Sequence, residues 1–281
     1  MKKLISILLC SVFAFLLFGC TEKGIEPNSE SVDYSSEFSG INGCAVFYNY
    51  NEKKYSFYNE QQCNTRYSPC STFKIISVLE GLKNNVVTSE SSTMNYNGSK
   101  YYFDTWNKNL NLKEAFQTSC VWYFRQVNDG IGQDNMKKAL NELNYGNCDV
   151  SQWQGSGMND TPDTNGFWLG SSLEISPVEM VNVIADIFEG KTDYNQEYID
   201  ILKDVMKSDV EGVYGKTGTG RDNTAWYTGF YENENGKIYF AVHLDNKTGK
   251  SITSADAKDI VNKIINNKYK QEYWQYIFSV V

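Results

Sequence analysis

A chain of 281 residues with 41% apolar and 15% aromatic content can bury a sizeable core, which excludes a disordered or fibrous polypeptide. Its formal charge of -8 argues against a nucleic-acid surface. One histidine, His243, cannot make a two-histidine metal centre, and the seven cysteines include no CxxC pair, which removes a zinc ribbon.

The chain opens MKKLISILLCSVFAFLLFGC, two lysines ahead of an apolar run from Leu4 to Phe18, so residues 1–20 read as an export signal. LFGC resembles a bacterial lipoprotein cleavage box in which Cys20 becomes the lipidated N-terminus; an ordinary cleaved signal and an uncleaved anchor are the alternatives. The expectation is an exported protein, held to the outer face of a membrane by a lipid anchor. Residues 21–40 are polar and without periodicity and read as a linker, leaving 41–281 as the folded domain. Alternation from Asn42 to Tyr58 predicts two strands turning near Asn51 to Lys54. Cys44 and Cys63 flank that hairpin, where they could close a disulfide or remain buried thiols; Cys70, Cys120 and Cys148 have no evident partner.

Ser68-Pro69 predicts a helix start, with Ser68 as N-cap and proline in the first turn. Apolar residues on most faces through Leu82 make that helix central and buried. Helical patterns follow at 112–127, 134–143, 176–188 and 195–206. Strand patterns return in GVYGKTGTG, TAWYTGFY and KIYFAVHLD, with His243 in the last, and 255–278 closes the chain as one or two helices. The predicted class is α/β (α+β): a five-stranded antiparallel sheet flanked by terminal helices and packed against a mostly helical subdomain.

Chemistry concentrates in SPCSTFKI. Ser71 and Lys74 lie three residues apart and share a helix face. Burying an ammonium among Phe73, Ile75, Ile76, Val78 and Leu79 is costly and pushes the lysine toward its neutral form, a base beside a nucleophile. SxxK alone is a weak signal. VYGKTGTG, however, places Lys216 and Thr217 at a strand end where they can meet an anion, and Ser119 lies in TSCVW within a helical run. SxxK, a second serine and KTG, in that order, are the elements of the serine penicillin-recognising enzymes.

Within that superfamily the chain resembles the class D β-lactamases. Ser71-Thr72-Phe73-Lys74 is similar to their STFK, Ser119-Cys120-Val121 to SxV, Tyr145-Gly146-Asn147 to YGN and Lys216-Thr217-Gly218 to KTG. Phe167-Trp168-Leu169 with LEISPVEM resembles FWLEG and the helix after it. The resemblance implies that Ser71 is acylated by β-lactam antibiotics, with an oxyanion hole from its own N–H and that of Thr219. It implies no metal or organic cofactor, but carbon dioxide or bicarbonate to carboxylate Lys74. It also implies that Trp168 holds that carbamate, that Val121 and Leu169 wall its pocket, and that Ser119 passes a proton to the leaving nitrogen. Lys216 and Thr217, with Gly218 beside them, hold the substrate carboxylate, while Tyr145 to Asn147 shape the site.

Two departures stand out. Gly170 replaces the glutamate that often follows FWL, which is expected to loosen the loop around Trp168. Where the last helix often supplies a carboxylate-binding arginine, alignment on Ile260 puts Ala257, with Lys258 beside it; Arg221 is either a loop contributor in its place or an ordinary solvated loop arginine. The implied activity is β-lactam hydrolysis giving antibiotic resistance. The alternatives are a β-lactam sensor that stays acylated and a cell-wall transpeptidase or carboxypeptidase; one short apolar leader and no large second domain weigh against both.

Overall fold

The computed structural model describes residues 28–270 except 158, 247, 248 and 250. The export segment with Cys20, the start of the expected linker, and the chain beyond 270 lie outside the described residues. The elements run β1 (Ser29–Ser31), α1 (Ser35–Phe38), β2 (Asn42–Asn49), β3 (Lys54–Tyr58), α2 (Glu60–Cys63) and α3 (Lys74–Lys83). A helical block follows: a short ribbon of β4 (Thr93–Met94) and β5 (Leu110–Asn111), then α4 (Leu112–Gln117), α5 (Val121–Ile131), α6 (Gln133–Glu142), α7 (Pro177–Phe188) and α8 (Gln196–Val205). The chain then returns to the sheet as β6 (Val213–Thr219), β7 (Ala225–Asn233) and β8 (Gly236–Asp245), and α9 (Ser254–Ile264) completes it.

The main sheet has the order β1-β3-β2-β8-β7-β6, antiparallel except where β1 runs parallel to β3. Both faces are covered, so its central strands read as nearly continuous apolar runs rather than clean alternations. In β2, Cys44, Val46 and Tyr48 join the core shared with the helical block, whereas Ala45 and Phe47 join a second core with α1 and α9. The two-residue period thus splits one strand between two cores.

Six strands therefore replace the five expected. The extra one comes from the segment read as a linker: Ser29 to Ser31 add to β3 through backbone pairing, and Tyr34 and Phe38 are buried against the second core. An edge strand needs no apolar pattern, because its backbone supplies the bonds. Of the two readings of Cys44 and Cys63, buried thiols hold. Cys63 sits on α2 beyond the hairpin rather than on a paired strand, and Cys44 and Cys63 are both free, buried thiols. Burial, and next the adjoining Cys44, raise the Cys63 thiol well above its usual range. His243 lies buried in β8, stacked on Tyr67 at 3.8 Å.

The helix expected over 112–127 is two helices. Asn111 caps α4 through a capping box with Glu114, and the chain breaks at Ser119, whose φ is +57°, before α5 begins at Val121. At 176–188 sequence and structure coincide, since Ser176 and Glu179 form a reciprocal capping box ahead of Pro177.

Candidate active site

Residues Cys70–Phe73 form a 3-10 turn that runs straight into α3. Ser68 does not cap it, contrary to expectation. Its hydroxyl donates to the Trp168 carbonyl at 3.0 Å and accepts from the Gly170 N–H at 2.9 Å, tying the nucleophile turn to the loop opposite. Cys70 takes a φ of +50°, a left-handed conformation costing a non-glycine residue about 1 kcal/mol. Ser71 follows, its Oγ 2.7 Å from the Nζ of Lys74.

Lys74 is 0% exposed, and its terminus lies 5.5 Å from the Phe124 ring. Burial lowers its pKa to about 7, against a smaller opposing pull from Cys120 and Cys70.

Breaking the helix at Ser119 turns that hydroxyl toward the sheet, where it accepts a hydrogen bond from Lys216 Nζ at 3.0 Å. Lys216 also donates to the Thr217 carbonyl at 3.0 Å. Its own pKa is held well below the lysine range, first by burial and then by repulsion from Lys74. β6 carries Lys216 past the nucleophile at close quarters: a Cβ on Gly218 would stand 3.2 Å from both the Pro69 carbonyl and the Thr72 methyl. The glycine lets the strand edge approach Ser71.

Trp168 sits in the long irregular segment between α6 and α7, fully buried and stacked on Phe73 at 6.0 Å. Its indole Nε1 is buried without a hydrogen-bond partner among the described residues. Gly170 occupies a φ of +58°, suited to glycine, and Ser68 holds its N–H, so the expected loosening does not occur at this point. The Asn147 side chain pins the segment by donating to the Ser172 carbonyl at 2.8 Å and accepting from the Glu174 N–H at 3.0 Å. Tyr145 packs edge-on against Phe73.

Gly146 is tightly enclosed, with a φ of +55° and a Cβ position 1.9 Å from the Glu174 carbonyl oxygen. We expect Gly146→Ala to lose about 2–4 kcal/mol through left-handed strain and overpacking. Urea unfolding checks this; an unchanged midpoint would mean that the segment does not close on residue 146.

These walls enclose a cleft of about 610 Å³. Ser71, Ser119, Val121, Leu169, Thr217, Gly218 and Thr219 line it. Lys74, Trp168 and Lys216 are buried, while Tyr145 to Asn147 are not part of its lining. Ala257 is fully buried and Lys258 is ion-paired with Asp209, so neither faces the cleft; Arg221 does.

Sequence reading missed the wall formed by Tyr101, Tyr102, Phe103 and Trp106. Its signal was the aromatic run KYYFDTW in a polar stretch, with Tyr102 93% exposed. It also missed Arg125, a buried guanidinium that donates to the Trp153 carbonyl at 2.8 Å and to Asp129, bracing the Trp168 segment from beneath. No group of three or more His, Cys, Asp or Glu among the described residues could hold a metal ion.

Comparison with known proteins places this geometry in a family. The pattern of the penicillin binding protein transpeptidase domain matches residues 43–266. Regulatory protein BlaR1 of Bacillus licheniformis is 32% identical over 250 residues, 86% of this chain but only 39% of that relative. The crystal structure of a class D β-lactamase from Bacillus subtilis superposes with a TM-score of 0.75 at 29% identity, covering 84% of this chain and 95% of the other. The C-terminal domain of the Bacillus licheniformis BlaR penicillin receptor superposes with a TM-score of 0.77 at 32% identity, covering 86% and 96%. The class D serine fold works without a metal. With its SxxK, SxV and KTG elements gathered at one cleft, this chain belongs to the penicillin-binding protein transpeptidase domain family and has the class D β-lactamase fold.

Proposed function

We propose that the protein is a serine β-lactamase that opens the β-lactam amide of penicillins through an acyl-enzyme on Ser71 and then hydrolyses it. The observation that carries this reading is the Ser71–Lys74 pair: a hydroxyl on the cleft 2.7 Å from a fully buried amine. Lys74 accepts the Ser71 proton as Oγ attacks the lactam carbonyl. The C–O ester bond forms as the C–N bond breaks, and the proton passes to the ring nitrogen through Ser119, which Lys216 orients. Thr217 receives the substrate carboxylate. Water then attacks the ester and releases the ring-opened acid and free Ser71.

The unpartnered indole N–H of Trp168 and the low pKa of Lys74 fit a carbamate on that lysine, since only a neutral amine takes up carbon dioxide and a buried donor needs an acceptor. Such a carbamate supplies a carboxylate base in place of the amine. Trp168→Ala is expected to make turnover depend on added bicarbonate, with activity rising at least tenfold between none and 50 mM, on the order of a lost charged hydrogen bond. Wild-type protein should change little. If excess bicarbonate recovers nothing, Trp168 does not hold a carbamate.

A second reading has its own support. The chain is 32% identical to the C-terminal domain of the BlaR penicillin receptor and superposes on it. On that reading Ser71 is acylated and the ester persists. Following intact mass and product together with a chromogenic cephalosporin separates the two. Many turnovers per chain favour the hydrolase, whereas one stable adduct on Ser71 favours the sensor. Export and lipid attachment at Cys20 are part of the same proposal, tested by metabolic labelling with a fatty-acid probe in wild type and Cys20→Ala.

A further inference from the structure

The buried indole N–H of Trp168 can serve Lys74 only while its segment keeps one position. Just after Trp168, Ser68 holds the segment through the Trp168 carbonyl and the Gly170 N–H. Ahead of it the chain makes an excursion over 154–164 that closes on itself: the Asn159 N–H donates to Asn165 Oδ1 and Asn165 Nδ2 donates to the Asn159 carbonyl, both at 2.9 Å. A loop of this kind fixes its own shape but not its place on the protein.

Arg125 on α5 supplies the place. Its buried guanidinium reaches the two points where the excursion leaves and returns: Nη1 donates to the Trp153 carbonyl at 2.8 Å and to the Asn165 carbonyl at 3.4 Å, and Nη2 donates to Gln154 Oε1 at 2.9 Å. Nε and Nη2 also take the two oxygens of Asp129, one turn along the helix, at 2.9 and 2.7 Å. The five N–H donors of the fork are thereby used. Asp129 accepts in turn from the Trp153 indole at 3.1 Å. A lysine, with three donors and no planar fork, could not join these groups in one plane.

Aromatic packing carries that placement to the nucleophile turn. Trp153 stacks on Phe167 at 4.8 Å, and Phe167 meets Phe73 edge-on at 5.2 Å and Trp168 edge-on at 5.1 Å. Phe73 immediately precedes Lys74. Close-packed rings have little slack, so a shift at Trp153 displaces Trp168 relative to Lys74. Arg125 and Asp129 are not part of the cleft lining, so their effect runs through Trp168 rather than through contact with substrate.

Resting on the carbamate proposed above, we infer that Arg125 and Asp129 are a positioning pair for Trp168 and set how tightly Lys74 holds carbon dioxide. The neutral amine adds to the carbon of CO2: an N–C bond forms, one C–O π pair moves onto oxygen to give the carboxylate, and the nitrogen releases a proton to solvent. The indole N–H donates to that carboxylate, and an indole out of place leaves the reverse reaction favoured.

The test titrates degassed protein with 13C-bicarbonate and follows the carbamate resonance by NMR, without antibiotic, so it reads equally well for a hydrolase or a sensor. Wild type is compared with Arg125→Met, Arg125→Lys and Asp129→Ala, and melting temperatures are taken on the same samples. Loss of a hydrogen bond to a charged acceptor predicts that the bicarbonate needed for half the signal rises about 10- to 100-fold in Arg125→Met and Asp129→Ala, with Arg125→Lys between them and wild type. Asp129 is exposed, so its variant carries the test if Arg125→Met does not fold. A pair that merely stabilises the fold would lower the melting temperature and leave the half-saturation point within about threefold of wild type, and that result overturns the inference. Absence of any carbamate resonance from wild type at saturating bicarbonate would instead overturn the carbamate reading, and the inference with it.

Discussion

Ser71→Ala is expected to give a folded protein that takes up no β-lactam, with turnover down on the order of 10⁶-fold, as for a deleted serine nucleophile. Ser71 is the hydroxyl that both faces the cleft and lies 2.7 Å from the buried amine. Ser119, the other motif serine on this cleft, is engaged with Lys216, not with Lys74. Its oxygen is therefore set to relay a proton rather than to attack. Intact mass after incubation with benzylpenicillin should show the unmodified chain, while the melting temperature stays within a few degrees of wild type. A stoichiometric adduct at another residue would refute the assignment of the nucleophile.

Lys74→Ala should come next in size, with acylation slowed about 10²- to 10⁴-fold, the usual worth of a positioned base, and turnover lost more completely. Lys74→Met, which keeps much of the volume, separates the missing base from the cavity. The sign of the pH effect follows from the depressed pKa. With the amine half-protonated at about pH 7, protonation occupies its lone pair as pH falls, so acylation should drop tenfold per unit below that point and level off above it. A rate that is flat from pH 5 to pH 8 would exclude the free amine of Lys74 as the base.

Much of this site was readable because its residues carry chemical contradictions that a sequence displays. A lysine inside an apolar helix and a KTG run at a strand end are visible without coordinates. The helix at 176–188 was readable from its local apolar spacing, and the Ser176–Glu179 capping box that starts it is equally local. Long-range demands were hidden. Ser68 looks like an N-cap locally, yet the Trp168 and Gly170 backbone groups, a hundred residues away, claim its hydroxyl. The break at Ser119 was invisible because apolar spacing continues across it, and a left-handed non-glycine residue leaves no compositional trace. The strand at Ser29–Ser31 was missed because backbone pairing, not side chains, makes it.

The sheet order has a further consequence. β6, beside the nucleophile, is one edge, and β1, where the described chain begins, is the other. Five inter-strand steps, roughly 24 Å, separate them. Lys268, close to the end of the described chain, is ion-paired with Glu30 on β1, so both ends meet at that far edge. The first and last of the described residues therefore lie across the sheet from the cleft, and neither of them closes over its mouth.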